Sequence, residues 1–283
     1  MLTAPPFSAL DQIKSTAGLQ LVAANQPRTA YLGLDQANTV LRSSGLKGRN
    51  PFKDKRVRQA IYQAIDVATI REEIMQGLSI PAGMMVAPGV NGYAPELAHR
   101  FQYDPQAARR LLVQAGYPEG FRVTLDCPRG SSAINAEAIC RAVARQLGGI
   151  GIDVAVNAQP KQLIYAKIDA RDSDFYLDSW GISTLDSADA FIKLYRTEAG
   201  LNASGYSNPR VDELTDQIGA EMITYARDAM IEEVWKIVLD DIVYIPLHHQ
   251  KIVWAMRDGL NAPVYPFGYP LFHEARLSSA KVN

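Results

Sequence analysis

Two cysteines and four histidines in 283 residues leave little material for a metal centre or a disulfide-stapled miniprotein. Cys127 and Cys140 match no zinc spacing, and His99, His248, His249 and His273 do not complete one. Long apolar runs are missing as well. The stretch Ile242–Leu247 is short and follows Asp240 and Asp241, so nothing approaches the ~18–20 apolar residues of a membrane-spanning helix. Charge of one sign is also lacking: 29 Lys and Arg face 30 Asp and Glu, which removes any global field for nucleic acid or anionic lipid. The first ten residues contain no basic n-region, apolar core or small-residue cleavage site, so no export signal is expected in this chain. What is present is ordinary globular material, 47% hydrophobic and 21% charged, enough for one large domain or two modest ones.

The cysteines admit two readings. A bond closing so short a loop would stabilise by about 3 kcal/mol in the chain-entropy model. Alternatively, Ala136, Cys140, Val143 and Leu147 form one apolar helical stripe with Cys140 as a small core residue. The second reading is favoured, because free cysteine is among the most buried residue types.

Punctuation divides the rest. Thr29–Asp35 reads as strand and Arg42–Asn50 as loop. Asp54 precedes a helical stripe of Val57, Ile61, Ala64 and Ile65; Asp66 caps a second stretch that Gly77 stops. Residues 78–97 form a long loop of the kind that often carries function. Asp104 as N-cap, Pro105 at the first helical position and Gly116 as terminator define another helix. Strand and helix then alternate: 121–126, 133–147, 152–158, 160–170 and 174–180. Such alternation predicts crossover units in a parallel or mixed α/β sheet. Late helices begin at Pro209 and Arg227, and strands are predicted at Ile242–His248 and Ile252–Met256. The tail 260–272 has no helical period and is expected to cross onto another part of the structure.

Chemistry is sparse. No G-x-S-x-G nucleophile elbow occurs. Gly148, Gly149 and Gly151 lie after a helix, where they end it and do not cradle phosphate. His248 and His249, adjacent on a strand, point to opposite faces and cannot readily share one ion. The basic run from Arg42 to Arg58 has no interleaved aromatics to stack bases and reads as a solvated face, so no nucleic-acid partner is expected. Asp174, Asp178, Asp186 and Asp189 bracket Trp180; they suit either acid–base chemistry or a strand end presenting an aromatic and a carboxylate to a solute. No cofactor motif is present, and no cofactor is expected.

The segment Asn50-Pro51-Phe52-Lys53-Asp54-Lys55-Arg56-Val57-Arg58-Gln59-Ala60-Ile61, continuing to Ala64-Ile65-Asp66, resembles the peptide/nickel-type (family 5) solute-binding proteins of bacterial ABC importers. Collinear segments agree: Tyr103-Asp104-Pro105 through Gly116-Tyr117-Pro118-Glu119-Gly120-Phe121, Gly149-Ile150-Gly151-Ile152, Trp180-Gly181, Tyr206-Ser207-Asn208-Pro209 and Ile245-Pro246-Leu247. The resemblance implies a periplasmic-binding-protein-like (type II) α/β fold and the later, C-terminal half of a two-lobed receptor. Residues 1–44 would be a partial first-lobe segment, 45–251 the C-terminal ligand-binding lobe with a mixed sheet flanked by helices, and 252–283 a return to the first lobe. The missing first lobe, an inner-membrane ABC permease and a small polar, peptide-like solute would be the partners, and the parent protein would be periplasmic. Crossings near 42–48 and 253–259 would act as the hinge.

Peptide-binding members resemble this chain at a Trp-x-x-Asp segment whose aspartate receives the peptide amino group. Here Trp180-Gly181-Ile182-Ser183 puts serine in that place, with Asp186 three residues on. Trp180, Ser183 and Asp186 are therefore the expected ligand-binding residues, and a standard dipeptide requires Asp186 to take over. The expected protein is a transport receptor with no catalytic residue and no bound metal. The alternatives are a hydrolase using Asp178, Asp186 and Asp189, or a stand-alone interaction module.

Overall fold

The computed structural model describes residues 1–278. In chain order the elements are β1 (Leu2–Thr3), α1 (Leu10–Ser15), β2 (Leu19–Leu34), α2 (Lys55–Ala64), α3 (Val67–Thr69), β3 (Ser79–Pro81), α4 (Pro105–Gln114), β4 (Phe121–Arg129), α5 (Ala136–Gly148), β5 (Ile152–Pro160), α6 (Lys161–Asp169), β6 (Phe175–Gly181), α7 (Ala188–Ala190), α8 (Pro209–Ala220), α9 (Thr224–Asp240), β7 (Tyr244–Arg257), β8 (Leu260–Asn261) and β9 (Arg276–Leu277). Short π turns, Ile70–Ile74 and Phe191–Tyr195, extend α3 and α7.

The expected caps form. Asp54, Asp66, Asp104 and Asn208 each accept a backbone N–H in the first turn of the following helix. Pro105 and Pro209 occupy the first helical position, where no N–H is needed.

Seven strands make one mixed sheet in the order β1-β7-β2-β6-β4-β5, with β3 also on β7. β4 runs parallel to both β5 and β6, whereas β2 is antiparallel to β6 and β7. The two strands predicted after residue 242 are one continuous strand. Pro246 does not break β7, because a register shift falls there, between Ala30 and Tyr31 of the neighbouring strand. Residues of successive parity enter different cores, as a pleated strand requires. Leu32, Val123, Leu125, Phe175, Leu177 and Leu247 pack on one face with α2, α4 and α5. Tyr31, Tyr176 and Tyr244 pack on the other with α8 and α9.

β2 and β7 outrun the rest of the sheet. The inner half of β2, Arg28–Leu34, lies between β6 and β7, but its outer half, Leu19–Asn25, pairs only with Lys251–Arg257. This ribbon carries its own apolar cluster of Trp254, Met256 and Ala262. The loop Arg42–Gly48, one of the expected crossings, is tied to the turn before β6: the Ser43 N–H and hydroxyl both donate to Asp174 at 2.6 and 2.7 Å. The long loop 78–97 is largely core, since Met84, Met85 and Val86 are buried.

The cysteines correct the favoured reading. Cys140 does lie on the buried stripe of α5, but Cys127 of β4 lies opposite it and the two are disulfide-bonded. Both are fully buried, so core packing and cross-linking are the same feature. The helical stripe alone could not reveal it, because the register that brings β4 against α5 is tertiary.

Candidate functional site

The parallel strands β4, β5 and β6 end together at Arg129, Pro160 and Gly181. In an open α/β sheet the crevice beyond the carboxyl ends of parallel strands is the natural ligand site. Two cavities lie there. One, of about 250 Å³, is lined by Tyr31, Tyr165, Asp178, Ser179 and Trp180. The other, of about 170 Å³, is lined by Gln26, Arg28, Gly181, Ser183, Phe267 and Tyr269.

Trp180 is half-buried, with its ring in the first cavity. Its indole N–H donates to Asp189 Oδ2 at 3.1 Å, and the Lys193 ammonium stands 5.5 Å from the ring centroid. Lys193 also pairs with Asp189. Asp189 and Lys193 thus fix the ring at the wall of the first cavity.

Asp178 faces the same cavity. It accepts the Ser179 N–H at 2.7 Å and the Tyr165 hydroxyl at 3.1 Å, with the Tyr31 hydroxyl at 3.5 Å. Burial pushes its carboxyl up to about 6, more than these hydrogen bonds and the charge of Arg28 pull it down.

The structure does not bring the three expected residues into one cavity. Ser183 is exposed and belongs to the second cavity. Asp186 lines neither: both of its oxygens accept from Arg227, at 2.8 Å each, and it also accepts the Ala188 N–H at 2.9 Å and the Asn91 amide at 3.2 Å. Burial alone would raise the Asp186 carboxyl, but these donors hold it below its ordinary value. Asp186 therefore fixes the turn that carries Ser183. Leu185 in that turn sits in the left-handed region at φ 55°, and its carbonyl accepts the Asn91 N–H at 2.8 Å.

Sequence reasoning missed Arg28 and Tyr165. Arg28 stands opposite Gly181 across the β2–β6 ladder and donates to the Ser179 carbonyl and hydroxyl at 3.2 and 3.3 Å. Only strand register reveals that proximity, because 151 residues separate the partners. Tyr165 lies on α6, the crossover between β5 and β6, and nothing in its local pattern marks it as facing the strand ends.

His248 and His249 point to opposite faces, as expected. The Thr29 hydroxyl donates to the Met85 carbonyl at 3.0 Å, so its 2.8 Å contact with His249 places the proton on His249 Nδ1. His248 is buried beside Arg100 with no partner for either nitrogen among the described residues. Burial lowers the two imidazoles to about 4 and about 3. Among the described residues no cluster of three or more His, Cys, Asp or Glu is arranged to hold a metal.

Residues 1–202 match the sequence model of a family described as bacterial extracellular solute-binding proteins, family 5 Middle. The chain belongs to the family 5 solute-binding proteins. Among curated family 5 relatives, the glutathione-binding protein GsiB of Pectobacterium atrosepticum is 27% identical over 272 residues, covering 90% of this chain and 49% of the relative. GsiB of Escherichia coli K12 is 23% identical over 268 residues, with the same shares. The fold matches HbpA2 from Haemophilus parasuis with a TM-score of 0.83 at 20% identity, covering 97% of this chain and 53% of that one. The periplasmic binding protein DppA from Helicobacter pylori, in complex with the peptide STSA, gives 0.81 at 20% identity, covering 98% and 52%. The chain thus spans about half the length of the curated relatives it matches, in keeping with the expected C-terminal half. The names of the GsiB and DppA relatives describe binding proteins. No helix among the described residues is long and apolar enough to cross a membrane.

Proposed function

We propose that this chain is the C-terminal ligand-binding lobe of a periplasmic receptor that delivers a small polar, peptide-like solute to an ABC permease. The observation that carries this reading is the pair of cavities beyond the carboxyl ends of β4 and β6, walled by Trp180 and edged by Ser183, Arg28 and Asp178. A half-cleft of this kind is completed by a second lobe, and ligand then shifts an open–closed equilibrium. The expected bounds put 1–44 and 252–283 with the other lobe and 45–251 in this one; Arg28–Leu34 belong instead to this lobe's sheet, and 279–283 lie outside the described residues. The outer halves of β2 and β7 form the connecting ribbon, and the inner half of β2 is embedded in the lobe's sheet. Trp180 supplies the apolar wall, Ser183 a hydroxyl contact, and Asp186 holds the turn between them through Arg227.

The kinds of ligand bound by relatives, glutathione and short peptides, support a peptide-like solute. A disulfide in the core supports an oxidising compartment such as the periplasm. The carboxylates weighed for hydrolysis are each engaged: Asp186 by Arg227, Asp189 by Lys193 and Trp180, and Asp178 by Tyr165. That distribution favours recognition.

Tryptophan fluorescence tests the reading. Trp235 and Trp254 are fully buried, so a solute reaching the strand ends changes the emission of Trp180. With Asp186 committed to Arg227, Asp178 in the Trp180 cavity is the carboxylate left for a peptide ammonium, so the dipeptide Ala-Ala is expected to alter wild-type emission, and Trp180→Ala to abolish that change and weaken binding about 10-fold or more. Unchanged affinity in the variant would remove the site.

A further inference from the structure

Arg28 is a half-buried cation that makes no salt bridge among the described residues. Burial lowers its pKa, and Asp178 acts on it only through space, with no hydrogen bond between them. Its protein acceptors are the Ser179 carbonyl and hydroxyl, both taken by Nη1. Nε and Nη2 have no acceptor among the described residues, and the side chain lines the cavity shared with Gln26, Ser183, Phe267 and Tyr269. A desolvated guanidinium with unused donors beside a cavity is poised for an anion, because its planar fork matches two oxygens at once.

Gly181 makes this arrangement possible. A Cβ at that position would stand 2.6 Å from Arg28 Nη2 and 2.8 Å from Cζ, so the guanidinium rests against bare backbone. The ladder register fixes the height of the group on the sheet, directly across from Gly181 and one residue beyond Trp180. The cavity, about 170 Å³, is sized for an end group and not for a whole peptide, and Ser179, which accepts from Arg28, lines the cavity of Trp180.

We infer that Arg28 is the oxyanion-recognition residue of this lobe: its free Nε and Nη2 donors take a carboxylate or phosphate group of the solute, with the Ser183 hydroxyl beside it and the rest of the solute reaching toward Trp180. The solute class is thereby narrowed to anionic or zwitterionic molecules. This inference rests on the solute-receptor reading above, and its test separates the two.

Arginine side-chain Nε–Hε resonances of the labelled 283-residue chain are followed by NMR while acetate, inorganic phosphate, the dipeptide Ala-Ala or its C-terminal amide is added. The Arg28 signal is expected to move saturably with Ala-Ala and with acetate or phosphate, the stronger of the two naming the preferred oxyanion. Removing the solute's carboxylate, or replacing Arg28→Gln, weakens Ala-Ala binding about 10-fold or more, the range for hydrogen bonds to a charged group. Gly181→Ala, which displaces the guanidinium but keeps its charge, lowers affinity in the same direction, and Arg28→Lys restores part of it. An Arg28 signal indifferent to all four probes, or an Arg28→Gln variant that binds Ala-Ala as wild type does, overturns the assignment. An Arg28 signal that responds to acetate while Ala-Ala leaves Trp180 emission unchanged upholds the anion site and refutes the peptide-receptor reading.

Discussion

Replacing Asp178 by asparagine removes one charge from the cavity while keeping its shape. Asn Oδ1 still accepts from the Ser179 N–H and the Tyr165 hydroxyl, and the new amide faces the Tyr31 hydroxyl, which can accept. In the folded chain the Asp178 carboxyl titrates at about 6, against 3.8 when unperturbed. A folded value raised above the unfolded one contributes stability that is present at low pH and lost as pH rises through about 6. The difference corresponds to at most ~3 kcal/mol. His248 and His249 act in the opposite sense. Their folded values, about 4 and about 3, lie below the ordinary 6.5, so their contribution is present above 6.5 and is lost as pH falls. Between about pH 4.5 and 5.5 the unfolded chain holds a proton on each histidine and the folded chain holds one on Asp178. The net slope in wild type is then about +1.4 kcal/mol per pH unit, and without Asp178 it doubles to about +2.7. Urea unfolding followed by fluorescence across about pH 4 to 7.5 measures both curves. They should meet near pH 4 and diverge until the variant is more stable by up to ~3 kcal/mol at neutral pH. Parallel curves would refute the view that burial holds Asp178 protonated.

Cys140→Ala is expected to destabilise the chain by about 3 kcal/mol in the chain-entropy model, and a reductant should bring wild type down to the same urea midpoint. If reductant leaves the wild-type midpoint unmoved, the bond to Cys127 does not stabilise the fold. Arg227→Ala frees Asp186, a partly exposed pair whose loss is expected to cost ~1 kcal/mol. Its clearer signature is faster amide exchange at Ser187, whose N–H bonds the Asn91 carbonyl at 3.1 Å. An unchanged exchange rate would show that the turn is held by other contacts.

The starts of α2, α3, α4 and α8 were legible because capping is local: Asp54, Asp66, Asp104 and Asn208 act on N–H groups two or three residues away. The mixed sheet followed from alternating strand and helix periods, and the collinear motifs led to the family. The limits of β7 were not legible. The sequence pattern divides it into Ile242–His248 and Ile252–Met256, yet pairing with β2 carries the strand through from Tyr244 to Arg257, and that pairing depends on the partner strand.

For the site, the sequence by itself determined that Trp180 ends a strand and that serine follows it three residues later. Only the tertiary structure decided what those residues face. It commits Asp186 to Arg227, 41 residues away, and so keeps that carboxylate out of both cavities, while Asp178 faces the one beside Trp180. It seats Arg28 against Gly181 through the β2–β6 register, and it closes Cys127 onto Cys140 through the packing of α5 on β4. Local hydrogen bonds and side-chain periodicity are written in neighbouring residues. Which distant groups share a desolvated space depends on strand register and layer packing, which no short stretch of sequence carries.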